Sequence, residues 1–242
     1  MSEAGYRVRV RRARLRGARE ALGVPGAVIG AGMLGFGALA YEAGFNVLLA
    51  AACTAGIWAL PGQLVLIEMH LAGAAGPLTV LAVMLTAVRF LPMSISLMPV
   101  VRGPGSTRTS IIVASQVLSM TSWAWTMKRT AEMPREERLA YFVGFAATCW
   151  AVGVAATVAG FYLAGGFTPL VRLGFVFLNP VYFVVLLVGE VRAGLAAVAL
   201  VCGAIAGPLV HLVDPQWSVL LGGLAGGTIA YSIQRIMERG RG

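Results

Sequence analysis

Charged residues divide this chain into long apolar runs. The uninterrupted intervals are Ala21 to Tyr41, Ala43 to Ile67, Met69 to Val101, Thr109 to Met127, Leu139 to Val171, Leu173 to Gly189, Ala193 to Val213 and Pro215 to Gln234, with Arg89 inside the third. A charged side chain at the centre of a bilayer costs about 3 kcal/mol, so charges mark where apolar helices end. Each interval is about one bilayer thickness or longer. The pattern predicts an all-α, polytopic membrane helix bundle of about eight transmembrane helices.

One of these spans is expected to be broken. The segment Trp58-Ala59-Leu60-Pro61-Gly62-Gln63 sets a residue without a backbone donor, a residue free to unwind and a side-chain amide together inside the second span. Backbone groups freed at membrane depth must face protein or a wet cavity, which is how many transporters build a substrate site. Pro61, Gly62 and Gln63 are therefore candidate substrate-binding residues. Elsewhere, Gly26/Gly30, Gly203/Gly207, Gly222/Gly226 and Gly223/Gly227 have the spacing that lets helix backbones touch.

Composition agrees with the bilayer as solvent: 58% of the 242 residues are hydrophobic and 12% charged, against roughly 25% charged in soluble domains. The mean hydropathy is +0.82. The net charge of +9 is concentrated at one end, where Arg7, Arg9, Arg11, Arg12, Arg14, Arg16 and Arg19 precede the first apolar run. That placement predicts contact with anionic lipids rather than nucleic acid. Residues 1–20 read as a basic cytoplasmic tail, 21–234 as the transmembrane transport domain and 235–242 as a second basic cytoplasmic tail. With both ends inside, the inner loops carry fifteen Lys and Arg and the outer loops three, Arg102, Arg108 and Arg172. The expected location is the bacterial inner membrane.

Arg89 is the strongest single polar candidate, because a guanidinium inside a span needs a carboxylate, carbonyls or water around it. It is expected to face the bundle interior near Gln63. Glu68 and His70 lie together near the end of the second span and are possible coupling groups. In an internal echo of Leu66 to Gly73 against Leu187 to Gly194, Glu68 pairs with Glu190 at an offset of 122 residues, which sets Arg89 opposite His211 and adds that histidine. Trp123, Trp125, Trp150 and Trp217 read as interface anchors. Cys53, Cys149 and Cys202 lie apart within apolar runs and read as buried hydrophobes. No spacing is a metal motif, no nucleophile stands with a base, and neither a nucleotide loop nor any other cofactor signature is present, so an enzyme is not expected. Gly30-x-Gly32-x-x-Gly35 matches a dinucleotide fingerprint in letters alone, inside a span where no strand precedes it.

Gly35-Phe36-Gly37-Ala38-Leu39-Ala40, the stretch Gly56 to Gln63 and Arg89-Phe90-Leu91-Pro92-Met93-Ser94, in that order, resemble the AzlC-type branched-chain amino-acid permease family. The resemblance implies the large subunit of a two-component exporter that moves branched-chain or similar amino acids with a small AzlD-type membrane subunit. It carries polar roles over to Gln63 and Arg89. Two departures stand out. Ala87 replaces the usual asparagine two residues before the arginine, and Thr121-Ser122-Trp123 stands where the family has a Thr-Asp-Glu cluster. Thr121 and Ser122 are thus the polar partners left in the fourth span, and the alternative of a non-transporting structural subunit, or a permease for a different small solute, gains weight from the missing carboxylates.

Overall fold

The computed structural model describes residues 3–166, 168–171, 173–175, 177, 181, 194–213 and 218–239, and among them it is all helical, without a strand. The chain divides into two units, residues 1–179 and 180–242.

The first unit is built on one long helix. The elements are α1 (Glu3–Ala21), α2 (Val24–Glu42), α3 (Val47–Ile57), α4 (Leu60–Leu71), α5 (Gly76–Ala87), α6 (Phe90–Val101), α7 (Arg108–Ser115), α8 (Met120–Thr130) and α9 (Arg135–Leu163), closed by a 3₁₀ turn at Ala164–Gly166. The stretch expected as a basic tail is thus helical. Contacts of α1 and α2 climb α9 in order. Ala13 clusters with Ala140 and Tyr141, Gly17 abuts Tyr141 and Phe145, Gly30 lies on Val152 and Ala156, and Gly37 abuts Thr157 and Phe161. The two helices therefore run parallel to α9. At Gly37 and Gly160 the approach is so close that a Cβ would overlap the carbonyls of Thr157 and Leu34, respectively. Lipid gives helices little hydrophobic drive to associate, and backbone contact of this kind supplies packing energy instead.

Among the described residues two helices, α2 and α9, are long and apolar enough to cross a membrane, and α5 with α6, bent by 44° between them, would make a third if the pair is one span. The bend has a local cause. Pro92 has no N–H for the carbonyl of Val88, and its ring crowds that carbonyl. The Val88 oxygen accepts from Leu91 instead, at 3.0 Å.

The second and fourth apolar intervals are each split into two short helices. α3 is 11 residues long and α4 12, about 16 to 18 Å each at 1.5 Å per residue, half of a ~30 Å hydrocarbon core. The ring of Phe45, just before α3, meets His70 in the last turn of α4 with centroids 4.9 Å apart. Both ends of the pair therefore lie together, and α3–α4 is a hairpin. α7 and α8, of 8 and 11 residues, form a second one. Arg108 at the start of α7 shares a cavity with Arg135, which follows α8. Gly103 abuts the Arg135 carbonyl, and Arg138 donates Nη1 to the Val100 carbonyl at 3.3 Å. The loop of residues 102–107 and the connection from α8 to α9 thus sit at the same end of α9, not at opposite ends as the charge intervals implied. The tips of the two hairpins meet: Trp58 donates Nε1 to the Val117 carbonyl at 3.2 Å, and its ring packs where a side chain on Gly153 would stand. Charge spacing could not separate a hairpin from a crossing, because both are apolar runs of the same length.

In the second unit, α10 (Gly194–Val213) and α11 (Ser218–Arg239) form an antiparallel pair. Gly226 lies on Gly203 and Gly222 on Gly207, backbone to backbone. The small-residue spacing foresaw this contact. Glu190, Asp214, Trp217 and Leu187 to Ala193 lie outside the described residues.

Candidate functional site

The break in the second apolar run falls at Trp58-Ala59, two residues before Pro61-Gly62. Trp58 takes the left-handed conformation, φ 45°, and Ala59 is extended. For a bulky residue that conformation stores about 1 to 3 kcal/mol of strain, and the indole bond to Val117 with the Gly153 contact holds it in place. Pro61 is the second residue of α4, where a missing N–H leaves nothing unsatisfied. The proline starts the second half-helix rather than breaking one. Gly62 is buried, and a Cβ there would stand 2.8 Å from Oγ1 of Thr86 on α5.

One turn into α4, Gln63 is fully buried. Its Nε2 donates to Thr54 Oγ1 on α3 at 3.2 Å. The Thr54 and Thr157 hydroxyls are 2.8 Å apart, and Thr157 donates to the Gly153 carbonyl at 3.1 Å. Since Thr157 gives its proton to that carbonyl, Thr54 donates to Thr157, and the chain of bonds runs one way from the amide of Gln63 to the backbone of α9. It leaves Gln63 Oε1 buried without a hydrogen-bond partner among the described residues. A buried, unpaired amide oxygen is worth about 1 to 3 kcal/mol of lost hydration. It therefore marks a place where a donor belongs.

The half-helix beside it is polarised. Ala59, the N-cap of α4, offers no side-chain acceptor, so the first amides of α4, at the positive end of its dipole, have no side-chain cap. The opposing hairpin differs: Ser119 caps α8 by accepting from the Ser122 amide at 3.2 Å, while Ser122 Oγ accepts from the Ser119 amide at 2.8 Å. Ser122 and Thr121 are both buried, and Ser122 is occupied as a cap. Four residues further along, Thr126 Oγ1 is a second buried oxygen without a partner among the described residues.

Arg89 stands at the bend between α5 and α6 and is exposed on the surface of its unit. Its guanidinium lies 5.3 Å from the ring centroid of Phe90. No hydrogen bond or ion pair joins it to Gln63 or to any other described residue. Glu68 and His70 are exposed at the open end of the α3–α4 hairpin. His211 falls within α10, its side chain outside those described. Three of the four expected interface tryptophans donate to protein groups: Trp123 Nε1 to Ser96 at 2.9 Å, Trp125 Nε1 to Glu20 at 3.1 Å and Trp150 Nε1 to the Ala55 carbonyl at 3.1 Å. Among the described residues no three His, Cys, Asp or Glu gather as a metal site.

The polar chain includes two residues that the sequence did not single out, Thr54 and Thr157. A hydroxyl nine residues from Gln63 within one apolar run was the available sign, but Thr157 is distant in sequence and joins only through packing.

The family model described as AzlC protein matches residues 26–167, more than half of the chain, a segment that runs from α2 through both hairpins to the end of α9. No curated protein and no solved structure matches.

Proposed function

The chain belongs to the AzlC family, and we propose that it is a secondary transporter exporting branched-chain or similar small hydrophobic amino acids, as the large subunit of a two-component permease with a small AzlD-type partner. The observation that carries this reading is Gln63 Oε1, a buried amide oxygen with no partner among the described residues, one turn inside a half-helix whose first amides have no side-chain cap. An amino acid brings complementary groups. Its ammonium supplies the donor that Oε1 lacks, and its carboxylate suits the positive end of α4. Its aliphatic side chain needs only the apolar helices around the tips.

In this reading the basic helix α1, the 102–107 loop and the connection from α8 to α9 face the cytoplasm, with both chain ends inside and Glu42, Glu68 and His70 outside. The hairpin at α7–α8 supports this orientation, since it moves Arg102 and Arg108 from the outer to the inner count of basic residues. Arg89 sits midway through the α5–α6 crossing, where a guanidinium cannot stay against lipid. It meets either the substrate carboxylate, held by its planar fork, or a polar group of the small subunit.

Labelled leucine, isoleucine and valine counterflow in proteoliposomes holding the chain and its small partner tests the function. Saturable counterflow that falls at least tenfold with Arg89→Gln and is not restored by Arg89→Lys supports transport with a bidentate role. Absence of counterflow for every amino acid, with the complex intact, removes the transporter reading in favour of a structural subunit.

A further inference from the structure

Away from the hairpin tips, a cavity of about 700 Å³ opens at the basic end of the first unit, lined by Met98, Pro99, Arg102, Arg108, Ile111 and Arg135. Its three arginines come from three places in the chain: the residue closing α6, the first residue of α7 and the first residue of α9. Among the described residues no carboxylate lines it. The nearest acid in sequence, Glu136, is engaged by Arg9 at 3.2 Å, and none of the three arginines forms an ion pair or side-chain hydrogen bond with a described residue. Three like charges drawn to one hollow repel one another unless an anion joins them. The remaining lining, Met98, Pro99 and Ile111, is apolar and belongs to the two helices that lead from this end toward the bundle interior.

We propose that this cavity binds one anionic phospholipid, its phosphate held by Arg102, Arg108 and Arg135 and the start of its acyl chains laid along Met98, Pro99 and Ile111. The chemistry matches on both sides. Guanidinium forks pair with phosphate oxygens through two parallel bonds, and the cavity's mixed lining suits a headgroup joined to hydrocarbon better than a free ion. The site is distinct from the diffuse attraction of the basic helix α1 for an acidic surface, since it uses none of the seven arginines of that helix. Bound there, the lipid would bridge α6, α7 and α9 at the open end of the α7–α8 hairpin.

Native mass spectrometry of the delipidated full chain, titrated with phosphatidylglycerol or with phosphatidylethanolamine, tests it. One phosphatidylglycerol is expected to remain bound in preference to phosphatidylethanolamine. Each arginine contributes about fivefold in affinity at about 1 kcal/mol per basic residue near an anionic headgroup, so Arg102→Gln/Arg108→Gln together should weaken retention about 25-fold. The control Arg11→Gln/Arg12→Gln, on α1, should leave it unchanged. Equal loss in the control would show that net charge alone holds the lipid and would overturn the site, as would equal retention of the two lipids. Displacement of phosphatidylglycerol by inorganic phosphate at low millimolar concentration would overturn the lipid assignment in favour of a free anion. Each variant is checked for an unchanged elution volume and melting temperature. A paired Arg102→Lys/Arg108→Lys variant, which keeps the charge, should retain more lipid than the glutamine pair, and equal loss in the two pairs counts against headgroup binding.

Discussion

Tyr141 of α9 donates its hydroxyl to the carboxylate of Glu20, at the end of α1, across 2.5 Å. The same carboxylate receives Trp125 Nε1 and Arg129 Nε, both at 3.1 Å, and Arg16 Nε at 3.0 Å. Burial opposes its charge, but the bonds from Tyr141, Trp125 and Arg16 and the charge of Arg129 outweigh that and hold the carboxyl below its ordinary value of 4.5. One acid thereby ties the basic helix to the returning arm of the α7–α8 hairpin and to the central helix.

Stability should follow that carboxylate. Because the folded state holds the proton more weakly than the unfolded one, the contribution is complete above about pH 4.5 and is lost as pH falls through the lower folded value. Melting temperature in detergent, followed from pH 7 down to pH 3.5, is expected to drop at the acid end. Glu20→Gln should flatten that drop and lower stability by ~1 to 3 kcal/mol at pH 7. An unchanged acid limb in Glu20→Gln would remove this residue from the account.

Gln63→Leu removes both the amide that Thr54 accepts from and the oxygen that has no partner among the described residues. Folding should survive within ~1 kcal/mol, since Thr54 keeps its bond to Thr157 and removal of the unpaired Oε1 offsets the lost Nε2–Thr54 bond, whereas amino-acid flux should fall at least tenfold. Thr157→Val, which interrupts the chain of bonds at its far end, should lower flux less. Wild-type counterflow in Gln63→Leu at equal expression would move the substrate site elsewhere.

The two hairpins make a topological prediction that a simple count of eight crossings does not. In a variant without native cysteines, Ser106→Cys and Glu132→Cys should be labelled by an impermeant maleimide from one side of the membrane, and Ala74→Cys from the other. Labelling of Ser106→Cys and Glu132→Cys from opposite sides would mean that α7 and α8 cross the bilayer between them.

Gly37→Leu tests the backbone contact on which α2 and α9 depend. The added side chain meets the Thr157 carbonyl and the Phe161 amide, neither of which can yield without moving a helix. A loss of ~1 to 3 kcal/mol is expected, as for overpacked cores, with a melting temperature well below that of Gly227→Leu, whose position has open space around it.

Much of this protein was written in its local chemistry. The apolar runs fixed an all-helical membrane bundle because backbone groups in lipid can be satisfied within each segment only by helices. The glycine spacings of α10 and α11 marked their contact, and Trp58 to Gln63 marked a break near its true place, since each of these depends on residues close in sequence. Tertiary structure decided what the runs do. Whether an apolar interval crosses or turns back depends on where its two ends dock, and the contacts that settle it, Phe45 with His70 and Gly103 with Arg135, join residues 25 and 32 positions apart. The same holds for the polar chain, where Thr157 reaches Thr54 across 103 residues, and for the three arginines of the cavity, whose charges add at one point only because α6, α7 and α9 bring them to the same end.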